Sequence, residues 1–261
     1  MLRVFIPCYN EIENLPHTVK ELQNILNKGN IPYQLHLYDN NSIDGTRAYI
    51  HNLAMKDIHI IPGFCGSKGK GNVYKRFRED MLKEASEDDI FMMIDGDYTY
   101  HPLRLNQTIE NFQKENIPFN PIVYTGRRLG YEQQNKSFIH GFGNKLICKL
   151  FKFVYKTHID IFSGFRIFDF TFLKEFIPKG KDFELETEMT VFAIRNGYIM
   201  KELSCLYTDR TGGKSKVNGI RDGIKIIWAF MNEVLKDYPA YVLIPPIFII
   251  FLILRMLKRG K

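Results

Sequence analysis

Two carboxylates one residue apart, Asp95 and Asp97, follow directly on the apolar run Ile90-Phe91-Met92-Met93-Ile94. A carboxylate pair at the end of a buried strand has to be solvated, paired or bound to a cation. The D-x-D spacing suits a shared divalent ion, and Mg²⁺ takes few carboxylates and fills its shell with water and substrate phosphate. Such a site fits a diphosphate leaving group; the plainer alternative is a turn that binds nothing. Asp39, in "YDNNSIDGT", ends another predicted strand, where a carboxylate can accept from the N–H of a uracil or guanine base. Asn41 suits a left-handed turn, and Asp44-Gly45-Thr46 reads as a turn and helix N-cap.

The cations lie in two glycine-rich stretches. "GSKGKGN" at 66–72 reads as a loop that brings Lys70 and backbone N–H groups near phosphate. It is not a P-loop, because the GxxxxGK[ST] spacing is absent. "DRTGGKSK" at 209–216 places Arg210, Lys214 and Lys216 in a segment with the character of a lid over a diphosphate. A solvated basic loop is the alternative in both cases.

The elements that must position these residues follow from periodicity. Residues 2–6 form a first strand, and Leu15, Val19, Leu22, Ile25 and Leu26 at helical spacing predict a helix from Glu13 to Asn27. Strands follow at 34–40, 58–61 and 90–94, with helices from Thr46 and over 73–85. Beyond residue 102 the alternation weakens. Strands are expected at 121–128, 162–169 and 201–210, and a helix over 183–198 with Gly197 at its C-terminal end. This order predicts an α/β fold, a mostly parallel sheet with helices on both faces. Ligands bind beyond the C-terminal strand ends of such sheets, where Asn10, Asp39 and Asp95 converge.

The chain has 261 residues, 45% of them hydrophobic, which supports a sizeable core. A net charge of +7 and a pI of about 9.1 favour anionic partners, although scattered charge serves solubility equally well. Nucleic acid has no other support. Cys8, Cys65, Cys148 and Cys205 have no C-x-x-C or zinc spacing and read as reduced core thiols of a cytosolic compartment. Met1 to Ile6 is too short for a secretory signal.

The end of the sequence has a different character. "AYVLIPPIFIIFLIL" at 240–254 carries no charge and is followed by "RMLKRGK". It is shorter than the roughly 20 residues of a straight membrane span. Before it, Ile224, Ile227, Trp228 and Met231 share one face of a predicted helix. Together these suggest a membrane-associating segment; a core or dimer-interface helix is the alternative. The boundary expected is a catalytic domain over 1–218 and this appendage over 219–261.

"IPCYNEIENLP", "LYDNNSIDGT", "GKG", "IDGDYTYHP", "SGFRIF", "FELETEM" and "RTGGKSK" occur in the order found in family 2 glycosyltransferases. The chain resembles their dolichyl-phosphate mannose synthase and polyprenyl-phosphate glycosyltransferase branch over residues 2 to 225. The resemblance implies a GT-A fold, a UDP- or GDP-linked sugar donor, and Mg²⁺ or Mn²⁺ at Asp95 and Asp97. It also implies that Pro7, Tyr9, Glu11 and Asp39 hold the nucleoside, that Asp95, Gly96 and Asp97 with Lys70 lie against the diphosphate, and that Arg210 and Lys216 clamp it. Arg127 is the expected contact to an acceptor phosphate, with Lys136 as a further acceptor-side candidate. Asp97, Arg127 and Arg210 are the expected catalytic set. Two departures from the family pattern stand out. Asn40 replaces the second Asp of "DD", and Thr99 stands where relatives often have Gln, which leaves a third metal ligand open.

For inverting transfer to a polyprenyl phosphate, the nucleophile is already anionic near pH 7, since a phosphate monoester has its second pKa near 6. No side-chain base is then required. Transfer to a hydroxyl of a cell-surface polysaccharide or glycolipid would need one, and Glu186 or Glu188 are the candidates. A nucleotidyltransferase lacks a signature here, and a non-enzymatic membrane adaptor would have no use for the carboxylate pair and cationic clamp. The expected setting is the cytoplasmic face of a membrane, with homo-oligomerisation left open.

Overall fold

The computed structural model describes residues 1–117, 119–130, 151–152, 155–156, 159–182 and 184–212. Lys136, Cys148, Lys214, Lys216, the helix expected before 240, the uncharged run 240–254 and the 218/219 boundary lie outside the described residues. Among the described residues no helix is long and apolar enough to cross a membrane.

The first half alternates as expected: β1 (Leu2–Cys8), α1 (Leu15–Leu26), β2 (Tyr33–Asp39), α2 (Thr46–Ala54), β3 (Ile60–Phe64), α3 (Lys70–Glu84) and β4 (Ile90–Met93). β1 and β4 are apolar along nearly their whole length because helices cover both faces. Then come β5 (Tyr100–Pro102), α4 (Leu105–Glu115), β6 (Ile122–Leu129), β7 (Arg166–Asp169), α5 (Phe170–Glu175), α6 (Leu185–Arg195) and β8 (Ile199–Tyr207). Gly197 takes φ 72° just past α6, the left-handed conformation that ends a helix.

The described strands form one eight-stranded sheet in the order β3-β2-β1-β4-β7-β6-β8-β5. β3, β2, β1 and β4 are mutually parallel, in a register that sets Cys8 beside Asp39 and Asp39 beside Phe64. The strand ends carrying Asn10, Asp39 and Asp95 therefore share one edge. The second half corrects the mostly parallel expectation. β7 is antiparallel to both β4 and β6, and β5 is antiparallel to β8, while β6 and β8 are parallel. The sheet is mixed through β7, which the "SGF" segment leads into and which runs against both of its neighbours. That entry places Arg166 beside Met93, so residues 163–165 meet the C-terminal end of β4. β5 ends in Pro102, which is tolerated because β5 is an edge strand paired on one side only.

Two apolar layers flank the sheet. Leu15, Val19 and Leu22 of α1 with Leu105, Ile109 and Phe112 of α4 cover one face. Val73, Tyr74, Phe77 and Met81 of α3 with residues of α5 and α6 cover the other. Cys8, Cys65 and Cys205 are buried and unbridged, and burial pushes the Cys205 thiol up to about 12.

His36, central in β2, is fully buried with both ring nitrogens unpartnered and lies edge-on to Phe77. Burial, with the Arg3 charge, lowers its pKa to about 3, against a smaller opposing effect of Asp89. The unfolded chain binds a proton near pH 6.5 that the folded chain refuses until about pH 3. Stability from the neutral ring is present above the unfolded value and is lost as pH falls through this window, at about 1.4 kcal/mol per pH unit. His36→Phe should therefore flatten the acid side of the stability profile. Denaturant unfolding of both proteins at pH 7 and pH 5 checks this; parallel profiles would contradict it.

Candidate active site

The edge formed by β1, β2 and β4 is cross-linked by its own loops. Asn10 adopts φ 51°, its N–H donates to Ser42 Oγ (2.9 Å) and its side-chain oxygen accepts from Ile43 N (2.9 Å). Asp44 accepts from Ile12 N (3.1 Å), Thr46 N (3.0 Å) and Thr46 Oγ1 (2.6 Å), which agrees with its reading as a turn and cap residue. Asn41, at φ 62°, makes the expected left-handed turn.

Asp39 is buried at the end of β2. Its carboxylate accepts from Ser42 N (3.2 Å) and from Arg47 Nε (2.8 Å), and the Arg47 guanidinium lies 4.1 Å over the Phe64 ring. Asn40, which replaces a family Asp, donates to the carbonyls of Ser67 (2.7 Å) and Cys65 (3.3 Å) and accepts from Gly69 N (2.8 Å). A carboxylate could not make the two donations, so the substitution ties β2 to the 65–69 loop. On the rim, Lys68 Nζ lies 3.4 Å from the Tyr9 hydroxyl.

The glycine-lysine stretch differs from expectation. Residues 70–72 are the first turn of α3, and the amides of Gly71 (2.9 Å) and Asn72 (3.4 Å) are taken by the Lys181 carbonyl. A Cβ on Gly71 would fall 2.5 Å from the Gly180 carbonyl oxygen, so only glycine permits this docking. The backbone is therefore no phosphate cradle. The Lys70 ammonium is aimed instead at two carboxylates, 2.5 Å from Asp95 Oδ1 and 2.5 Å from Glu186 Oε1. The Lys70 side chain is only 10% exposed. Burial alone would lower its pKa, but the two carboxylates more than offset this and hold it above the ordinary lysine range. Burial raises Glu186, with Lys70 opposing, and its Oε2 is buried without a partner.

Gly96 lets the D-x-D turn lie against β1: a Cβ there would be 3.3 Å from the Pro7 carbonyl oxygen and 3.5 Å from Cys8 Sγ. Asp97 Oδ1 accepts from Thr99 Oγ1 (2.7 Å) and Thr99 N (3.3 Å), so Thr99 steadies Asp97. Burial and then the Asp95 charge push Asp97 up to about 6, against the Thr99 hydrogen bond and the Arg210 charge. Two carboxylates in mutual repulsion are what a divalent cation relieves, and Asp95 and Asp97 would hold it. Among the described residues no cluster of three His, Cys, Asp or Glu side chains encloses such an ion. The pair therefore fits an ion whose other ligands are water and substrate phosphate.

Arg210 pairs with Glu11, which also accepts from Asn14 Nδ2 (2.9 Å). Asn14 in turn takes Thr211 Oγ1 (2.8 Å) and Gly212 N (3.2 Å) and donates to the Gly212 carbonyl (3.2 Å). The segment after β8 is thus fastened over the start of α1, close enough for the Arg210 charge to act on Asp97. The two arginines of "GRR" divide: Arg128 makes a two-pronged pair with Asp160 (2.5 and 2.8 Å), and Arg127 is exposed. Arg127 shares a face of β6 with Thr125, whose hydroxyl receives the fully buried Arg166. Arg166 also donates to the Glu186 carbonyl (3.4 Å) and to Thr190 Oγ1 (3.1 Å), joining this strand to α6.

Pro7, Tyr9, Glu11, Asp39, Lys70, Asp95, Gly96, Asp97 and Arg210 thus gather along one crevice edge, with Arg127 on the strand-end side of β6. Glu188, the other base candidate, accepts from the amides of Lys179 (2.7 Å) and Gly180 (2.9 Å) and serves that turn. Sequence reasoning did not anticipate the contacts of Asn40, Arg47 and Gly164, and it left Glu186 and Glu188 side by side. "FELETEM" contained the signal for Glu186, but choosing between its two glutamates needs the partner of each.

Comparison with known proteins agrees with this architecture. Residues 3–176 match the family model described as Glycosyl transferase family 2. Protein RfbJ of Shigella flexneri is 36% identical over 115 residues, which are 42% of this chain and 78% of RfbJ. Glucosyl-3-phosphoglycerate synthase from Mycobacterium tuberculosis, in complex with Mn²⁺, UDP-glucose and phosphoglyceric acid, superposes with a TM-score of 0.61 at 12% identity. The match covers 90% of this chain and 79% of the synthase. At that identity the likeness shows the fold, a GT-A-like arrangement about a mixed sheet. The family match spans most of the chain and includes every crevice element from β1 to β7, and on that ground the chain belongs to glycosyl transferase family 2 and is a glycosyltransferase.

Proposed function

We propose that the enzyme transfers a sugar, with inversion, from a nucleotide-sugar donor to a polyprenyl-type lipid phosphate at a cytoplasmic membrane face. Family membership supports the nucleotide sugar, and the UDP-glucose and Mn²⁺ held by the mycobacterial synthase are consistent with such a donor and a divalent ion. Asp39 and Tyr9 are assigned to the nucleoside, Asp95 and Asp97 to the ion and diphosphate, and Arg210 to the phosphates. The ion, when bound, neutralises charge on the departing diphosphate.

The observation that carries the acceptor assignment is the contrast between Arg127 and Glu186. Arg127 is an exposed cation at the end of β6, while Glu186 is committed to Lys70. An acceptor phosphate meets the first and needs no base, because it arrives anionic. The uncharged run 240–254 and its basic end support a lipid surface.

A second reading rests on the buried, unpartnered Glu186 Oε2 and the upward shift of that carboxyl, both properties of a general base for a hydroxyl acceptor. The test is a panel of UDP- and GDP-sugars against polyprenyl phosphate and against sugar hydroxyls. The proposal expects product on the lipid phosphate, and Arg127→Ala should raise the acceptor KM about tenfold or more while donor binding stays constant. Product on hydroxyls alone, abolished by Glu186→Gln, would establish the second reading instead.

A further inference from the structure

We propose that Lys70 and Glu186 form a latch on the metal site: Lys70 shields Asp95 in the metal-free protein and withdraws onto Glu186 when a divalent cation takes Asp95. The inference rests on the assignment of the ion to Asp95 and Asp97.

Three observations carry it. First, one ammonium is shared at equal distance, 2.5 Å to Asp95 and 2.5 Å to Glu186. Second, Glu186 keeps a spare acceptor, Oε2, buried with no partner and in a side chain only 7% exposed. Buried acceptors are normally satisfied, and one left open beside a mobile donor is a vacant seat for it. Third, the parts differ in freedom. The Asp95 carboxylate is backed on one side by Gly164, where even a Cβ would fall 2.1 Å from Oδ2. The first turn of α3 is tied down through Gly69 N to Asn40 and through Gly71 N to Lys181. What can move is the four-carbon Lys70 stem.

The electrostatics give the movement a direction. A divalent ion at Asp95 competes with the ammonium for the same oxygen and repels it at short range. A buried ammonium with no counter-ion is strongly unfavourable, so without Glu186 it would stay on Asp95 and oppose the metal. With Glu186, Lys70 moves a short way and keeps a full ion pair. Glu186 is therefore a positioning residue, acting on the metal through Lys70.

The experiment is Mn²⁺ titration of the full chain without donor, following free Mn²⁺ by electron paramagnetic resonance, with thermal unfolding of every variant. Glu186→Gln should weaken Mn²⁺ binding about tenfold, the lower end of what loss of an outer-sphere partner costs. Lys70→Met, or Lys70→Gln if the former fails to fold, should bind Mn²⁺ more tightly than wild type. With Lys70 already replaced, Glu186→Gln should change affinity less than about twofold, because the latch has no moving part left. An equal effect of Glu186→Gln in both backgrounds would overturn the latch by showing that Glu186 acts on the ion directly. Wild-type affinity in Glu186→Gln would overturn it as a purely structural ion pair. If Asp97→Asn leaves Mn²⁺ binding unchanged, the metal assignment itself fails and the latch with it. If Asp97→Asn loses Mn²⁺ and Glu186→Gln does not, only the latch fails.

Discussion

Asp97→Asn should cut sugar transfer by roughly 10²–10³-fold while the protein folds normally, the scale seen when one preorganised electrostatic contact to a developing charge is removed. The amide keeps the shape of the side chain and can still accept from the Thr99 hydroxyl and amide, which now hold Asp97 at 2.7 and 3.3 Å. What it loses is the anionic oxygen that, with Asp95, would hold the ion and the leaving diphosphate. Burial and the Asp95 charge already disfavour the ionised form of Asp97. A neutral replacement therefore relieves repulsion, and the unfolding temperature should stay level or rise. Steady-state kinetics beside a thermal melt make the test, and full turnover by a folded Asp97→Asn protein would remove this carboxylate from the chemistry.

Gly164→Ala should be nearly as damaging through a different cause. The added methyl would sit 2.1 Å from Asp95 Oδ2 and 2.9 Å from Oδ1, distances no real contact adopts. The atom in the way belongs to a side chain, so the carboxylate swings aside and the fold survives. A displacement near 1 Å at a reacting centre costs on the order of 100-fold in rate. Activity should drop by about that factor with little change in unfolding temperature, and Mn²⁺ affinity should weaken with it. If instead the protein melts early with normal specific activity, Gly164 serves the strand turn and not the carboxylate.

Much of the first half was legible in the sequence because its signals are local. β1 and β4 are dense apolar runs, β2 alternates apolar with polar residues, α1 has a clear helical stripe, and the candidate site residues stand at strand ends, where parallel sheets collect them. The second half was less so. β5 is three residues long and contains a proline, β7 is four residues long, and neither carries a local signal of the antiparallel pairing it makes. Lys70 was misplaced for a related reason. A glycine-flanked lysine carries the local signature of a loop, and what the sequence does not show is the Lys181 carbonyl, far along the chain, accepting from the Gly71 amide in the first turn. Asp39 was located correctly, but its partner Arg47 was not foreseen, because nothing in the spacing says that the arginine folds back over Phe64. The carboxylates were found by type and position, and their partners required the fold.

The strand order has one more consequence. β1 to β4 form one contiguous half of the sheet and β5 to β8 the other, joined along the β4–β7 seam, and Asp95-Gly96-Asp97 is the peptide that passes between them. Lys70 with Glu186, Glu11 with Arg210, and Asn14 with Thr211 each take one member from either half. The crevice is thus a joint between two separately wound pieces, closed by ionic and polar clasps. A donor lying along it acts as a rivet: its binding free energy opposes parting of the halves, by about 2.7 kcal/mol at a hundredfold excess over Kd. Saturating nucleotide sugar is therefore expected to raise the unfolding temperature of the enzyme.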